Sequence, residues 1–403
     1  MKTAQRRCPC CAADRVAVLH RQEFCGIDEH PLASGYDVVS CGSCGFVYAD
    51  SAASQETYDA YYDGMSKYAD VTTGTGGALQ PWDAQRLRDT ATTIAEYLGR
   101  RDCRILDIGC ANGGLLACLQ DLGFRSLTGI DPSAGCVTTT KARGFEAERG
   151  FLGKLAATGQ TWDCIILSHV LEHVADLRAA IANALSLLAR GGCMYVEVPD
   201  ATRYANFLYA PFQDFNTEHI NHFSQATLRN LMAAVETTPA AEATKTIHSS
   251  ATSLYPALWG FFVRGSGAPA PVSRDHLVGA MRTYIGASER MMCEVRTRAA
   301  QGLADTEEVA IWGTGQLAMK VLVPEVLGRT SIVACVDANP INHGRRFHGA
   351  ATVAPEAIRG TRSPILIASL LHQTDIQGRI RAMGLPNRVI TLRDQPEVPF
   401  PVH

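Results

Sequence analysis

A glycine-bearing turn between two acidic residues is the first feature of this chain whose residue types and spacing could do chemistry. Residues 104–114 read Arg-Ile-Leu-Asp-Ile-Gly-Cys-Ala-Asn-Gly-Gly, and Thr-Gly-Ile-Asp follows at 128–131. Glycines let the backbone turn sharply and approach a ligand closely. Asp107 can hold an ammonium group, and Asp131 can accept both hydroxyls of a ribose. The pattern predicts a nucleoside-cofactor site, whereas a purely structural βαβ turn would not require Asp131.

A second group of reactive residues lies in the polar segment 214–224, which reads Asp-Phe-Asn-Thr-Glu-His-Ile-Asn-His-Phe-Ser. A histidine oriented by a carboxylate is a good general base. Glu218 and His219 are therefore the acid–base candidates. His222 either contacts a substrate or is satisfied by the backbone. Ser224 is placed to cap the following helix.

The amino terminus carries two Cys-x-x-Cys pairs. Four thiolates can surround one Zn²⁺ tetrahedrally, which predicts a structural rather than a catalytic metal site. Cys10, Cys25 and His30 are competing ligands, and a redox or simply buried set of cysteines is the alternative. The predicted ligands are Cys8, Cys11, Cys41 and Cys44.

A second glycine turn at 311–318 reads Ile-Trp-Gly-Thr-Gly-Gln-Leu-Ala, and Asp337 follows nineteen residues later. The G-x-G-x-x-A spacing after a strand is typical of dinucleotide sites. Gly313 and Gly315 could cradle a diphosphate. An NAD-linked oxidoreductase module is therefore one interpretation of this region.

The elements that must position these residues follow from alternating apolar and amphipathic stretches. Strand–helix alternation implies an α/β, mostly parallel, doubly wound sheet. Residues 1–50 have a loop-like composition, and 265–271 has the composition of a linker. Helices are predicted at 83–99 and 274–301, with strands at 104–108, 127–131, 163–167, 193–198, 242–248, 254–263, 332–336 and 364–368.

Composition excludes several function classes. The chain has 403 residues, a net charge of −3, 46% hydrophobic residues and 14 cysteines. This length predicts two or three domains, and the charge gives no electrostatic signature for nucleic acid. The sequence shows no secretory signal and no apolar run long enough for a membrane span. We therefore expect a cytoplasmic protein with a small-molecule substrate and reduced thiols.

These motifs resemble those of class I S-adenosylmethionine-dependent methyltransferases across roughly residues 80–265. The resemblance rests on the segments 106–113, 129–131, 163–173 and 188–199, which occur in the family's order. It implies S-adenosylmethionine beside the turn, ribose on Asp131 and adenine beside Gly150 and Phe151. It implies the cofactor residues Asp107, Gly109, Asn112, Gly113, Asp131, Gly150, Phe151, Ser168 and His169. The H-x-x-E-H spelling at 169–173 also matches zinc peptidases, but that site needs one continuous helix.

The whole chain resembles the nucleotide-sugar C-methyltransferases, because it combines the amino-terminal cysteine pairs, the Glu-His pair and the carboxyl-terminal domain. Those enzymes act on 4-keto sugars through an enolate. The resemblance assigns catalysis to Glu218, His219, Asn216 and Tyr68, although Asn216 replaces the family's usual tyrosine. It implies that Gly313 and Gly315 help to bind the nucleotide-sugar. His222, from the polar segment, is the further predicted substrate-binding residue.

The predicted parts of the chain are a zinc domain at 1–56, a methyltransferase domain at 57–265, a linker and helix at 266–305 and a Rossmann-like domain at 306–403. We expect a monomer or weak homo-oligomer. O- or N-methylation of a sugar or small metabolite is the first alternative function. A non-enzymatic methyltransferase-like scaffold is the second.

Overall fold

The computed structural model describes residues 1–27, 32, 35–65, 76–155, 159–265 and 274–394, without the side chains of 61–65 and 274–275. The predictions for His30 and Tyr68 therefore lie outside the described residues. The chain divides into two compact units. The first unit comprises Met1–Gln22, Tyr36–Phe207 and Asp214–Tyr284, and the second comprises Glu23–Gly35, Leu208–Gln213 and Ile285–His403.

The amino-terminal fifty residues form an antiparallel sheet, so the loop-like interpretation of this region was wrong. Its strands are β1 (Lys2–Thr3), β2 (Arg15–Gln22), β3 (Tyr36–Cys41) and β4 (Val47–Asp50). Valine and tyrosine in β3 and β4 favour extended backbone and pack well on a pleated surface. Cysteines and glycines at the strand ends obscured this pattern in the sequence.

The largest sheet of the first unit has seven strands, in the order β11-β12-β9-β8-β5-β6-β7. Strands β5 to β9 pair in parallel, while β12 pairs antiparallel with both β9 and β11. A further strand, β10, pairs with β4 in the amino-terminal sheet. The bounds are β5 (Arg104–Ile108), β6 (Ser126–Asp131), β7 (Glu146–Arg149), β8 (Trp162–Ser168), β9 (Leu188–Pro199), β10 (Asn221–His222), β11 (Thr237–His248) and β12 (Leu254–Arg264).

Helices cover this sheet and end where capping chemistry allows. Pro81 starts the second helix, and Gly99 ends it in the left-handed conformation that glycine adopts readily. The Ser224 side chain accepts the backbone N–H of Thr227 at 3.2 Å, which confirms the predicted cap. The helices that pack on the sheet or on one another are α2 (Pro81–Leu98), α3 (Gly114–Asp121), α4 (Ala134–Ala142), α5 (Leu177–Ser186) and α6 (Gln225–Ala233). Helix α1 (Gln55–Met65) precedes them, and α7 (Arg274–Leu303) begins in the first unit and ends in the second.

The second unit contains a six-stranded sheet in the order β15-β16-β14-β13-β17-β18. Apart from the antiparallel β15, its strands are parallel, and their order is that of a Rossmann sheet. The strands are β13 (Glu308–Trp312), β14 (Ser331–Val336), β15 (Arg346–Phe347), β16 (Ala350–Val353), β17 (Ile365–Ile367) and β18 (Val389–Ile390). The helices are α8 (Gln316–Val321), α9 (Pro324–Leu327) and α10 (Gln373–Ala382). Within the described ranges, every helix is too short or too polar to span a bilayer.

Candidate active site

A cavity of about 360 Å³ opens at the carboxyl ends of β5, β6 and β8 in the first unit. Ligands of open α/β sheets bind at this edge because the loops that follow the strands converge there. The lining contains most of the predicted cofactor residues together with one predicted catalytic residue. The predicted residues that line it are Asp107, Gly109, Asp131, Gly150, Phe151, Ser168, His169 and His219.

The turn after β5 needs glycine for two separate reasons. Gly109 has a φ of +82°, a conformation that is strained for other residues. A Cβ there would also lie 2.6 Å from a methyl group of Val170. Gly113 has a φ of +74° and precedes α3 as its N-cap. Asn112 is buried within the same turn, and neither it nor Gly113 is among the residues that line the cavity.

Two carboxyl groups lie at the tips of adjacent strands. Asp131 accepts the backbone N–H groups of Ala111 at 2.9 Å and Ser133 at 2.8 Å, which fixes its carboxylate beside the turn. Burial raises the pKa of Asp107 to about 7, and the nearby charge of Asp131 adds to the effect. A bound cation would relieve this cost, because a paired charge tolerates burial better than an isolated one.

His169 belongs to a buried charge network. Its ring donates from Nδ1 to Glu172 at 3.0 Å and from Nε2 to Glu197 at 3.2 Å. Burial alone would lower the pKa of His169, but these two carboxylates raise it to about 9. Glu197 also accepts Lys245 Nζ at 2.7 Å. His169 is thus a protonated part of the cavity wall, with both nitrogens engaged.

The zinc-peptidase alternative fails on the same segment. β8 ends at Ser168, and only a single 3₁₀ turn, Leu171–His173, follows. His169 has a φ of +56°, so one continuous helix cannot carry both histidines.

Among the predicted catalytic residues that the structure describes, His219 lines the cavity. Asn216 acts through the backbone, because its Oδ1 accepts the N–H groups of Glu218 at 2.8 Å and His219 at 2.7 Å. The Glu218 carbonyl accepts Nδ1–H of His173 at 3.1 Å. The rings of His173 and His219 lie 5.0 Å apart, edge to face. The structure therefore adds His173 to the histidine predicted from sequence.

Three side chains that line this cavity could together hold a metal ion. Donor atoms of Glu172, His173 and His219 lie within 4.8 Å of one another. Glu172 is 1% exposed, and its Oε2 has no hydrogen-bond partner in the described part of the chain. Two histidines and one carboxylate are a common set of ligands for divalent cations.

The other predicted site residues lie elsewhere. His222 is fully buried in β10, with ring centroids 5.2 Å from Phe215 and 6.0 Å from Tyr204. Burial lowers the pKa of His222 to about 3, so it is neutral. Its position does not support a substrate contact, because an enclosed ring offers nothing to a ligand. The composition of segment 214–224 predicted a functional cluster. It could not show that His222 is buried while His219 faces the cavity.

Several cavity residues carry no local sequence motif. They come from α1 and α2 and from the ends of β11 and β12, which are far apart in the chain. A Rossmann-type pattern marks only the turn residues, so these were missed. They are Gln55, Asp59, Trp82, Arg86, His248 and Tyr255.

The four predicted cysteine ligands come together in the amino-terminal sheet, with their sulfur atoms within 4.8 Å of one another. The Cys8–Cys44 and Cys11–Cys41 sulfur distances are 3.6 and 3.5 Å. Sulfur atoms at tetrahedral positions around zinc are about 3.8 Å apart, given a Zn–S bond of about 2.3 Å. The cluster therefore has the donor type and spacing for such an ion.

In the second unit, Gly313 and Gly315 form the turn after β13, as the spacing predicts. Gly313 has a φ of +100°. Asp337 follows β14, and its Oδ2 accepts the hydroxyl of Thr314 at 2.7 Å. The strand–turn–strand geometry of this region thus matches the sequence prediction.

Comparison with known proteins bears on the first unit. Residues 80–237 match a family profile described as a methyltransferase domain. Ubiquinone biosynthesis O-methyltransferase from Parvibaculum lavamentivorans is 33% identical over 111 residues, or 26% of this chain and 44% of that protein. Its namesake from Rhizobium rhizogenes is 33% identical over 108 residues, or 25% of this chain and 43% of that protein. The chain thus spans less than half the length of these relatives.

Solved structures include an S-adenosylmethionine-dependent methyltransferase from Methanosarcina mazei. It is 17% identical, with a TM-score of 0.38, and the match covers 43% of this chain and 98% of that one. The family match falls on the parallel strands β5 to β9 and the glycine turn, and it ends where β11 begins. Residues 80–237 thus match a methyltransferase domain, and they fold as the α/β layers described above.

Proposed function

We propose that this chain transfers a methyl group from S-adenosylmethionine to carbon of a nucleotide-linked keto sugar. One observation carries the proposal: two strand-end carboxylates and a cavity-facing histidine line the same cavity. The two carboxylates suit a nucleoside that carries an ammonium group, and the histidine can take a proton from an acceptor. The matched methyltransferase profile covers the same residues.

The cofactor would be held by the strand tips. Asp107, which is buried and forms no ion pair within the described ranges, would pair with the ammonium group of the methionine moiety. Asp131 would receive the ribose hydroxyls through lone pairs not used by Ala111 and Ser133. Gly150 and Phe151 offer a wall for the adenine. Bound S-adenosylmethionine supplies an electrophilic methyl group on sulfur.

The acceptor's proton would pass to His219. In a keto sugar, the carbonyl acidifies the adjacent C–H bond. His219 would take that proton, and the electron pair left on carbon would form the new C–C bond to the methyl group. The S–C bond breaks in the same step, and its electrons remain on sulfur as the neutral thioether of S-adenosylhomocysteine. Asn216 supports this geometry by holding the two backbone N–H groups of Glu218 and His219.

O-methylation is the second candidate, and the relatives' names favour it. Both curated relatives described above are named ubiquinone biosynthesis O-methyltransferases. The match covers about a quarter of this chain and less than half of each relative. His219 could equally deprotonate a hydroxyl group. The keto-sugar assignment rests on the Glu-His pair and the two additional regions.

We also propose that Cys8, Cys11, Cys41 and Cys44 hold one structural Zn²⁺. The four sulfur atoms fit a closed tetrahedral set, which leaves no open position for chemistry. The ion would fix the turns at the edge of the amino-terminal sheet. Metal analysis of freshly purified protein should find about one zinc per chain, and none in a Cys41→Ser, Cys44→Ser variant.

Turnover of labelled S-adenosylmethionine across keto-sugar nucleotides, with hydroxylated analogues as a second set, tests the proposal. Methyl transfer to carbon should occur only with the ketones. His219→Asn should lower kcat by about 10²–10⁴-fold, and should abolish solvent proton exchange at the methylated carbon. Calorimetry should show that the variant still binds the cofactor.

His276→Asn is the matched control, because His276 is exposed on α7. It should leave both measurements unchanged. Methylation only of hydroxyl groups would replace the keto-sugar assignment with the O-methyl alternative. Failure of the wild-type protein to bind S-adenosylmethionine or its demethylated product would refute the enzyme assignment.

A further inference from the structure

Resting on the proposed function, we propose that Arg6 and Asn221 are positioning residues for the cavity histidines. They join three segments: the bend between β1 and the first cysteine pair, the turn that carries His173, and the segment that carries His219. Neither side chain is among those that line the cavity. Their effect on catalysis would therefore be exerted through the backbone that they hold.

The Arg6 guanidinium group donates hydrogen bonds to acceptors in two separate segments. Its Nη2 donates to the carbonyl of Ala175 at 2.6 Å and to Asn221 Oδ1 at 2.9 Å, with the carbonyl of Val174 at 3.3 Å. Its Nη1 reaches the carbonyl of Ile220 at 3.4 Å. One planar guanidinium group thus binds the residues just after His173 and just after His219.

Arg6 is itself held in place by its own backbone. Its N–H donates to Asp50 Oδ1 at 2.9 Å, and its carbonyl accepts the hydroxyl of Tyr48 at 2.9 Å. Its guanidinium carbon lies 5.5 Å from the centre of the Tyr48 ring. Burial lowers the pKa of Arg6 to about 10, which leaves it charged at neutral pH. The group is therefore a fixed cation anchored in the amino-terminal sheet.

Asn221 completes the connection from the opposite side. Its Nδ2 donates to the carbonyls of Leu171 at 2.8 Å and Val174 at 2.7 Å, and the side chain is fully buried. The N–H of the neighbouring Ile220 donates to the carbonyl of Glu172 at 2.8 Å. These three hydrogen bonds, with that from His173 to the Glu218 carbonyl, join residues 171–174 to the segment bearing His219.

This arrangement sets the relative position of the two rings. His173 lies between the two carbonyls that Asn221 binds, and His219 directly precedes Ile220. A displacement of about 1 Å in reacting groups can cost about 100-fold in rate. Cofactor residues on β5 and β6 make none of these contacts in the described part of the chain. Loss of the Arg6 and Asn221 hydrogen bonds should therefore impair turnover without weakening cofactor binding.

The residue types are specific to this task. A guanidinium group offers a planar fork of five donors, whereas a lysine ammonium is a compact point charge with three. Arg6→Lys would retain the charge and lose the simultaneous contacts. Asn221→Asp would keep the acceptor for Arg6 and remove the two donors, which leaves buried carbonyls unpaired.

The test compares Arg6→Lys with Arg7→Lys, a matched control because Arg7 is exposed. Arg6→Lys should lower kcat by about 10–100-fold, while Kd for S-adenosylhomocysteine changes less than about twofold and zinc content is unchanged. Asn221→Asp should reproduce this split between kcat and Kd. Arg7→Lys should match the wild type in every measurement.

Each outcome decides the proposal. An unchanged kcat in Arg6→Lys overturns it. Parallel losses of kcat, cofactor affinity and melting temperature in both variants also overturn it, since they indicate general destabilisation. If Arg6→Lys does not fold, the same criteria apply to Asn221→Asp and to the milder Asn221→Ser. A wild-type protein without cofactor affinity or turnover instead refutes the proposed function on which the inference rests.

Discussion

Two glycine turns occupy the same place in two parallel sheets, yet their surroundings differ. Each follows the strand at which its sheet reverses order, and each is followed by an aspartate at the end of the next strand, Asp131 or Asp337. In both, the first glycine has a positive φ, +82° at Gly109 and +100° at Gly313. The backbone geometry alone would assign both turns the same role.

The difference lies two residues before the first glycine. Asp107 stands there in the first unit, while the second unit has the apolar and fully buried Ile311. Only the first turn therefore offers a carboxylate for an ammonium group. A glycine turn makes a close approach possible, and the side chains around it determine which ligand can approach.

Exchanging the carboxylates for amides is the strongest test of this comparison. Asp107→Asn should weaken binding of S-adenosylhomocysteine by about 100-fold, because a buried ammonium–carboxylate pair that loses one partner costs about 2–5 kcal/mol. Calorimetry would measure the change. Asp337→Asn is the matched control, since Asp337 also ends a central strand and contacts Thr314. Equal losses in the two variants would show that the two turns are not distinguished by this acid.

The pH dependence of cofactor binding gives a smaller effect of the same origin. Since the pKa of Asp107 is raised to about 7, its carboxyl group becomes protonated as the pH falls from 8 to 6. Only the ionised form attracts the ammonium group, so affinity should fall about tenfold over this range. His169, with a pKa of about 9, remains charged throughout. Asp107→Asn should give a flat profile, and a wild-type affinity that rises towards acid pH would contradict the assignment.

The sequence predicted those parts of the fold and site that depend on local pattern. β5 and β6, the glycine turns and the Ser224 cap are each encoded within a dozen neighbouring residues, and all occur where expected. The same locality explains the correction in the amino-terminal sheet. Its pairing between β2 and β3 is long-range, and the cysteine and glycine positions at the strand ends resemble loop signals.

The side chains that arrange the cavity depend on tertiary contacts, so the sequence could not identify them. Arg6 and Asn221 are 215 positions apart in the chain, and nothing in either neighbourhood indicates that they meet. His222 and His219 lie three positions apart in the same polar segment, yet one is buried and the other faces the cavity. Residue type gives the available chemistry, while the path of the backbone decides which residues face the cavity.

Adding a methyl group at the second turn is the mildest perturbation of the comparison. In Gly313→Ala the new Cβ would lie 3.5 Å from the carbonyl of Ala368, an ordinary contact. The cost is then mainly the positive φ, about 1–2 kcal/mol of stability. Chemical denaturation should show this loss, and the affinity for S-adenosylhomocysteine should remain unchanged.

Gly109→Ala makes the same chemical change at the first turn and is the matched comparison. There the Cβ would also clash with Val170 at 2.6 Å, and the turn borders the cavity. We expect a larger loss of stability together with a loss of cofactor affinity. If Gly313→Ala weakened cofactor binding as much as Gly109→Ala does, the two turns could not bind separate ligands. The assignment of S-adenosylmethionine to the first turn alone would then be wrong.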